Sequence, residues 1–173
     1  MQIKIVMIGM LVGFSYLIGE YISKAYINRH KQVNELIRIL EIIRMDLSFG
    51  LYTLEEVFKR IGDKTDFYTS KFFNNLSLDL SNNPYKTLNE IINDNIVILK
   101  KETYLNDKEV DELKELVLLL GKSDIESQSR MIELSIQNLK NITIETKEEI
   151  EKKGVVYKKL STVIGLVIGI ILI

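Results

Sequence analysis

Few residues of this chain are of a type and spacing that could do chemistry. Gly121-Lys122-Ser123 has the closing letters of a phosphate-binding loop. Such a loop needs a glycine five residues earlier, where Leu116 stands, and a preceding strand, where the pattern is helical. Lys122 reads better as a positive charge at a helix C-terminus, which the helix dipole favours. The one histidine, His30, lies between Arg29 and Lys31 with no cysteine in the chain to accompany it. That reads as a surface residue rather than a ligand, and the missing thiols exclude a disulfide framework and a cysteine-type zinc site. The carboxylates Asp111, Glu112 and Glu115, and then Glu145, Glu148, Glu149 and Glu151, could in principle hold a cation. They alternate with Lys108, Lys114, Lys147 and Lys152 at helical spacing, the pattern of an ion-paired, solvated face. No catalytic, cofactor-binding or metal-ligating residue is assigned, and an enzyme is disfavoured. Lys+Arg of 23 against Asp+Glu of 24 leaves no basic footprint for nucleic acid.

One polar run remains after the turn at Gly121: Asp124, Glu126, Gln128 and Arg130. Ser123-Asp-Ile-Glu126 has the form of a capping box, which accounts for Glu126. Two readings stay open for the others. They are the exposed start of a capped helix, or Asp124, Gln128 and Arg130 form a polar contact point for a cytoplasmic partner.

The elements that would carry such a point begin and end in apolar sequence. Ile5 to Gly19 is uncharged, and fifteen helical residues span roughly 22 Å, short of the ~30 Å hydrocarbon core. With Lys4, Glu20 and Lys24 snorkelling, the span extends to about Ser23. A cleaved signal peptide is the competing reading, but no A-x-A-like site follows. Leu160 to Ile173 is also uncharged, and a start at Gly154 gives ~30 Å. Nothing polar follows that run, so a membrane helix is expected over a short core helix. Lys24, Arg29 and Lys31 follow the first span, and Lys152, Lys153, Lys158 and Lys159 flank the start of the second. By the positive-inside rule both flanks are cytoplasmic. The expected organisation is a transmembrane helix at 1–23, a cytoplasmic helical domain at 24–153 and a second transmembrane helix at 154–173. Both spans carry G-x-x-x-G, as Gly9/Gly13 and as Gly165/Gly169 extended backward by Ser161. These small residues allow close helix packing, within the chain or against partner helices.

The middle reads as all-α, an antiparallel bundle of about six helices. Val33, Leu36, Ile37, Leu40, Ile43 and Leu47 follow helical spacing up to Gly50. Thr53-Leu-Glu-Glu56 and Thr87-Leu-Asn-Glu90 are capping boxes, the first opening a short helix that ends near Gly62. A helix over roughly Asp66–Leu80 presents Phe67, Phe72, Phe73, Leu76 and Leu80, and the turn at Pro84 stops it. Asn106 or Asp107 caps the next helix, with Val110, Leu113, Leu116, Val117 and Leu120 as its stripe. From Ser123 nothing breaks the pattern before Gly154, the one candidate hinge. Ile125, Ile132, Ile136, Leu139, Ile142 and Ile150 mark the buried side.

The run Leu119-Leu-Gly-Lys-Ser-Asp-Ile-Glu-Ser-Gln128 resembles the L-G-x-S-D-x-x-x-Q signature of the stage III sporulation protein AB family. Leu36 to Arg44, Tyr52 to Phe58, and Tyr157-Lys-Lys-Leu160 before a glycine-containing apolar tail are similar to that family in order and spacing. The likeness covers essentially the whole chain. Leu51-Tyr-Thr-Leu54 departs from the family's proline-containing turn, and Ser161 stands where the family has glycine. The resemblance implies a component of the channel complex between mother cell and forespore, in the mother-cell membrane around the forespore, with other stage III subunits as partners. It also implies a helical domain similar to the platform proteins of type II secretion and type IV pilus systems. Such a platform docks a cytoplasmic secretion-type ATPase, here stage III sporulation protein AA. Self-association is compatible with this reading, and a general membrane-anchored scaffold for another envelope assembly is the alternative.

Overall fold

The computed structural model describes residues 2–48, 52–120 and 124–171. Among them every regular element is helical: α1 (Gln2–Ser48), α2 (Leu54–Gly62), α3 (Ser70–Asn82), α4 (Leu88–Glu102), α5 (Asp107–Leu119), α6 (Ile125–Glu149), a π-helical turn (Ile150–Gly154) and α7 (Val155–Ile171). The all-α class expected from the missing period-two alternation is the class observed. The chain forms two compact units, a helix pair from Met1–His30 with Ile144–Ile173, and a bundle from Lys31–Thr143. Helices α1 and α6 contribute residues to both.

In the bundle, α1 buries Val33, Leu36, Ile39, Leu40 and Ile43 completely. Ile37 and Leu47, expected in this stripe, lie at its margin, and Ile39 takes the interior place between Leu36 and Ile43. Phe58 of α2 and Phe72 of α3 each meet Phe73, with ring centroids 5.6 Å and 5.2 Å apart and tilted to edge-on geometry. That geometry suits the ring quadrupoles and adds to the ~1.5–3 kcal/mol from burying each side chain. From α6 come Ile132, Ile136, Leu139 and Ile142, all buried. Ile125, expected with them, is half exposed because it occupies the first turn.

Local chemistry sets the helix starts. Thr53 Oγ1 accepts the Glu56 N–H at 3.3 Å while Glu56 accepts the Thr53 N–H at 2.7 Å. Thr87 and Glu90 repeat the exchange at 3.3 Å and 2.8 Å. Two of the four orphan amides at each helix start are satisfied this way. Asn106 precedes α5, and its N–H donates to Glu109 at 2.7 Å.

The third helix starts at Ser70, not at Asp66 as expected. Its delay has a long-range cause. Glu35 of α1, almost fully buried, accepts the N–H groups of Tyr68 and Thr69 at 3.0 Å each and the Thr69 hydroxyl at 2.9 Å. A carboxylate from another helix thus caps α3 and complements its dipole. Phe67 is still buried, but from the turn before the helix. Gly62 ends α2 where α3 approaches closely: a Cβ there would fall 2.4 Å from Asn74 Oδ1, and Asn74 Nδ2 donates to the Gly62 carbonyl.

In the helix pair, the start of α1 runs antiparallel to the end of the chain. Ile8 and Val12 flank Gly169, Ser15 and Val12 flank Gly165, and Ser23 flanks Gly154. Towards the other end of this pair, Arg29 forms an ion pair with Glu149, and His30 Nδ1 lies 2.8 Å from Thr146 Oγ1. The π turn falls between Glu149 and Gly154. Its wider i→i+5 winding lets residues five apart complete a turn, so both Glu149 and Gly154 face α1. An uninterrupted α-helix, with 3.6 residues per turn, would rotate one of them away.

Candidate docking surface and helix-pairing face

Asp124, Gln128 and Arg130 lie within the first two turns of α6, in the bundle unit. Ser123, expected to cap this helix, lies outside the described residues, as does the Gly121-Lys122-Ser123 run. Within the described residues Asp124 caps it: Oδ1 accepts the Ser127 N–H at 2.9 Å and Oδ2 the Ser127 hydroxyl at 2.7 Å. Those two bonds, the hydroxyl's first, hold the Asp124 carboxyl below its ordinary value. Glu126, assigned to capping from the sequence, accepts from Arg130 Nη1 at 2.6 Å, one helical turn on; its expected exchange with Ser123 lies outside the described residues. Arg130 also donates to Ser127 Oγ at 3.2 Å and is exposed. Gln128 is buried, so its side chain is not presented alongside the other two.

Next to this turn, Ser129 contributes to an open groove of about 680 Å³. The opposite wall is the end of α1, with Arg38, Glu41, Arg44, Met45 and Ser48. Arg44 pairs with Glu133 of α6 across it, and Met45 is exposed. Nearby in sequence, Asp46 is buried; its Oδ1 accepts from Arg60 at 2.9 Å while Oδ2 has no partner among the described residues. The surface therefore combines two arginines, a carboxylate and one exposed thioether around an open concavity. Among the described residues no group of His, Cys, Asp and Glu is placed to hold a metal ion. The lone His30 is half-buried against Thr146.

The five small residues singled out for helix packing divide between two faces. Gly165 and Gly169 are buried against α1: a Cβ on Gly165 would fall 2.7 Å from Ser15 Cβ, and one on Gly169 would fall 3.0 Å from Ile8. Ser161 donates its hydroxyl to the Ser15 carbonyl at 2.5 Å. Gly9 and Gly13 face away, with nothing within 4 Å of a Cβ on either. The glycine of α1 that meets α7 is Gly19, where a Cβ would fall 2.8 Å from Ser161 Cβ and 3.1 Å from Lys158 Cα. The signal for this face was present as Ser15-x-x-x-Gly19-x-x-x-Ser23, a small-residue stripe in which serine replaces glycine. Outside the contact, Met7, Met10, Phe14 and Leu17 of α1 and Ile164, Leu166 and Ile170 of α7 are all exposed. Both long helices, Val6–Ser48 and Ile125–Ile171, contain a stretch long and apolar enough to cross a membrane.

These features define a class: an all-helical bundle attached to a pair of apolar helices that meet through small residues. The family model for stage III sporulation protein AB matches residues 4–173, and the chain belongs to that family. A solved structure of stage III sporulation protein AB is similar in fold, with a TM-score of 0.64 and 19% sequence identity. The match covers 71% of this chain and 96% of that one. No curated protein matches the chain. It is thus a stage III sporulation protein by family.

Proposed function

We propose that this protein is a non-enzymatic membrane platform of the channel complex between mother cell and forespore. In this reading it docks a cytoplasmic secretion-type ATPase, the kind of partner that stage III sporulation protein AA would be. The observation that carries the reading is the pairing of two apolar helices through Gly19, Ser161, Gly165 and Gly169, with large apolar side chains turned outward. Such a pair is an anchor rather than a reaction site. The organisation is a transmembrane helix at 1–23, a cytoplasmic domain at 24–153 and a second transmembrane helix at 154–173. The protein sits in the mother-cell membrane around the forespore. Lysines and arginines at the inner ends of the two helices favour that orientation.

The docking face is the start of α6 around Asp124, Gln128 and Arg130, together with the groove beside Ser129. Arg130 supplies the exposed charge and Asp124 fixes the turn, while the Gln128 side chain is buried. The helical path from Ile125 through the π turn to Ile171 is unbroken, so displacement at the docking face is carried along it. Yield in that path belongs to the π turn, where the hydrogen-bond ladder changes pitch, rather than to Gly154 alone. Gly9 and Gly13 are left open for helices of other channel subunits or of a second copy.

The test is co-purification of the tagged full chain from sporulating cells. Recovery of a secretion-type ATPase, abolished by Arg130→Glu but retained in Lys140→Glu elsewhere on α6, supports the platform. A chain that recovers only division or envelope proteins, with Arg130→Glu making no difference, favours the general scaffold.

A further inference from the structure

Along one face of α7, Val155, Lys158, Lys159, Thr162 and Val163 follow i, i+3, i+4, i+7 and i+8 spacing. With Ser23 of α1 they line a groove of about 640 Å³. Thr162 offers it no free donor, because its hydroxyl already donates to the Lys158 carbonyl at 2.9 Å. The groove is therefore apolar apart from two ammonium groups, and those groups are poorly neutralised. Lys152 and Lys153, just before it, are each held by a carboxylate one turn back, Glu148 at 2.7 Å and Glu149 at 2.8 Å. Lys158 reaches Glu20 at 3.8 Å and lies 5.3 Å from the centre of the Tyr16 ring, and Glu20 is already engaged with Lys24 at 3.1 Å. Lys159 has no ion pair or hydrogen bond among the described residues. Lys24 and Lys158 thus share one carboxylate, and Lys159 has none.

The depth of the groove is as informative as its charge. Lys158 and Lys159 lie four and five residues beyond Gly154, about 6–8 Å along the helix. In a span that starts at Gly154 their ammonium groups reach back to the headgroup layer by snorkelling, while their stems stay along the apolar surface. Below them, towards the membrane interior, Val163 and then Val167 continue an apolar surface on which an acyl chain can lie.

We infer that the groove formed by Ser23, Val155, Lys158, Lys159, Thr162 and Val163 binds one anionic phospholipid, its phosphate between the two lysines and an acyl chain along Val163. The inference rests on the membrane reading proposed above. Juxtamembrane lysines attract anionic lipid in general, each by a modest amount that salt screens. What distinguishes this groove is that Lys159 has no ion pair or hydrogen bond among the described residues and Lys158 reaches only a distant carboxylate shared with Lys24, while Lys152 and Lys153 are each closely paired, so the lipid preference should track Lys158 and Lys159.

The experiment uses the purified full chain, with bound lipid counted by native mass spectrometry after exchange into phosphatidylglycerol or phosphatidylcholine. Wild type is expected to retain phosphatidylglycerol over phosphatidylcholine. Lys158→Gln with Lys159→Gln should reduce that retention roughly tenfold, whereas Lys152→Gln with Lys153→Gln should leave it unchanged. Equal loss in both double variants would mean a diffuse surface attraction, and no loss in either would mean no site; each overturns the inference. Resistance to carbonate extraction from phosphatidylcholine vesicles is measured beside it. Extraction of the wild-type chain there would overturn the membrane reading itself, and retention by every variant would leave that reading standing whatever the lipid preference.

Discussion

The two units of this chain solve the packing problem with opposite residues. The bundle brings large side chains inward: Phe58, Phe72 and Phe73 are buried together, and aliphatic side chains from α1, α4, α5 and α6 close around a core. The helix pair brings its smallest residues inward and leaves Phe14, Leu17, Ile164 and Ile170 outside. In water the first arrangement is driven by removing apolar area from solvent. The second gains nothing from that drive, since its apolar area stays outside. Its contacts are backbone approach and the hydrogen bond from Ser161 to the Ser15 carbonyl, which are the contacts that hold helices together in lipid. One sequence thus carries two rules for what counts as a core residue, and each predicts a different response to mutation.

The comparison is broken most directly at its largest expected effect. Phe73→Ala should lower the unfolding free energy of the bundle by about 3–5 kcal/mol, because the side chain is fully buried against two other rings. Phe14→Ala, an aromatic truncation on the outward face, should leave both units folded. Denaturant unfolding of the full chain in detergent, followed by helical circular dichroism, measures both. A loss below ~1 kcal/mol for Phe73→Ala would mean that the aromatic cluster is not the bundle's core.

The next effect sharpens the rule for the helix pair. Gly165→Val places a branched side chain where even a Cβ lies 2.7 Å from Ser15 Cβ and 3.4 Å from Val12 Cα. Overpacking of this kind costs about 1–3 kcal/mol. Gly13→Val meets open space and should cost the pairing nothing. The chain has no cysteine, so Ser23→Cys with Gly154→Cys provides a clean reporter. A Cβ at 154 lies 3.8 Å from the Ser23 Cα, within reach of a disulfide. Crosslink yield should fall with Gly165→Val and hold with Gly13→Val. The reverse result would exchange the inner and outer faces of α1.

These cases also mark what was legible in the amino-acid sequence. Thr53 with Glu56 and Thr87 with Glu90 were readable because a capping box closes within four residues and needs nothing from elsewhere. Phe72, Phe73 and Leu76 were readable from helical spacing for the same reason. The start of α3 was not, because Glu35, more than thirty residues upstream, decides it. Gly9/Gly13 and Ser15/Gly19/Ser23 look alike as sequence, and only the partner helix determines which stripe is used. The π turn was hidden too, since Ile150 to Gly154 contains nothing that ordinary helical sequence lacks apart from its glycine. At the docking face, the spacing of Asp124, Gln128 and Arg130 was visible and the Asp124–Ser127 cap is as local as the capping boxes, but the burial of Gln128 depends on three-dimensional placement.

The smallest expected effect separates the units by pH. In the bundle Glu56 and Glu90 are held below their ordinary values, chiefly by the backbone N–H of Thr53 and of Thr87, and Asp124 by Ser127. Each carboxyl releases its proton more readily when folded than when unfolded, so the folded chain binds fewer protons in this window. The resulting stabilisation is complete above the ordinary carboxylate range and is lost as pH falls through the lowered folded values. The bundle's melting temperature should therefore drop between about pH 6 and about pH 3, and Glu56→Gln should flatten part of that slope by removing one titrating cap. Glu148, in the helix-pair unit, is lowered instead by Lys152 on the same helical run, and that exposed pair opens no helix start. The contact between positions 23 and 154, read as a distance between spin labels on the two cysteines rather than as a disulfide, should accordingly persist under acid conditions that loosen the bundle. Simultaneous loss of both signals would mean that the bundle's caps also govern the pair, and the two units would then be one cooperative structure rather than two with separate rules.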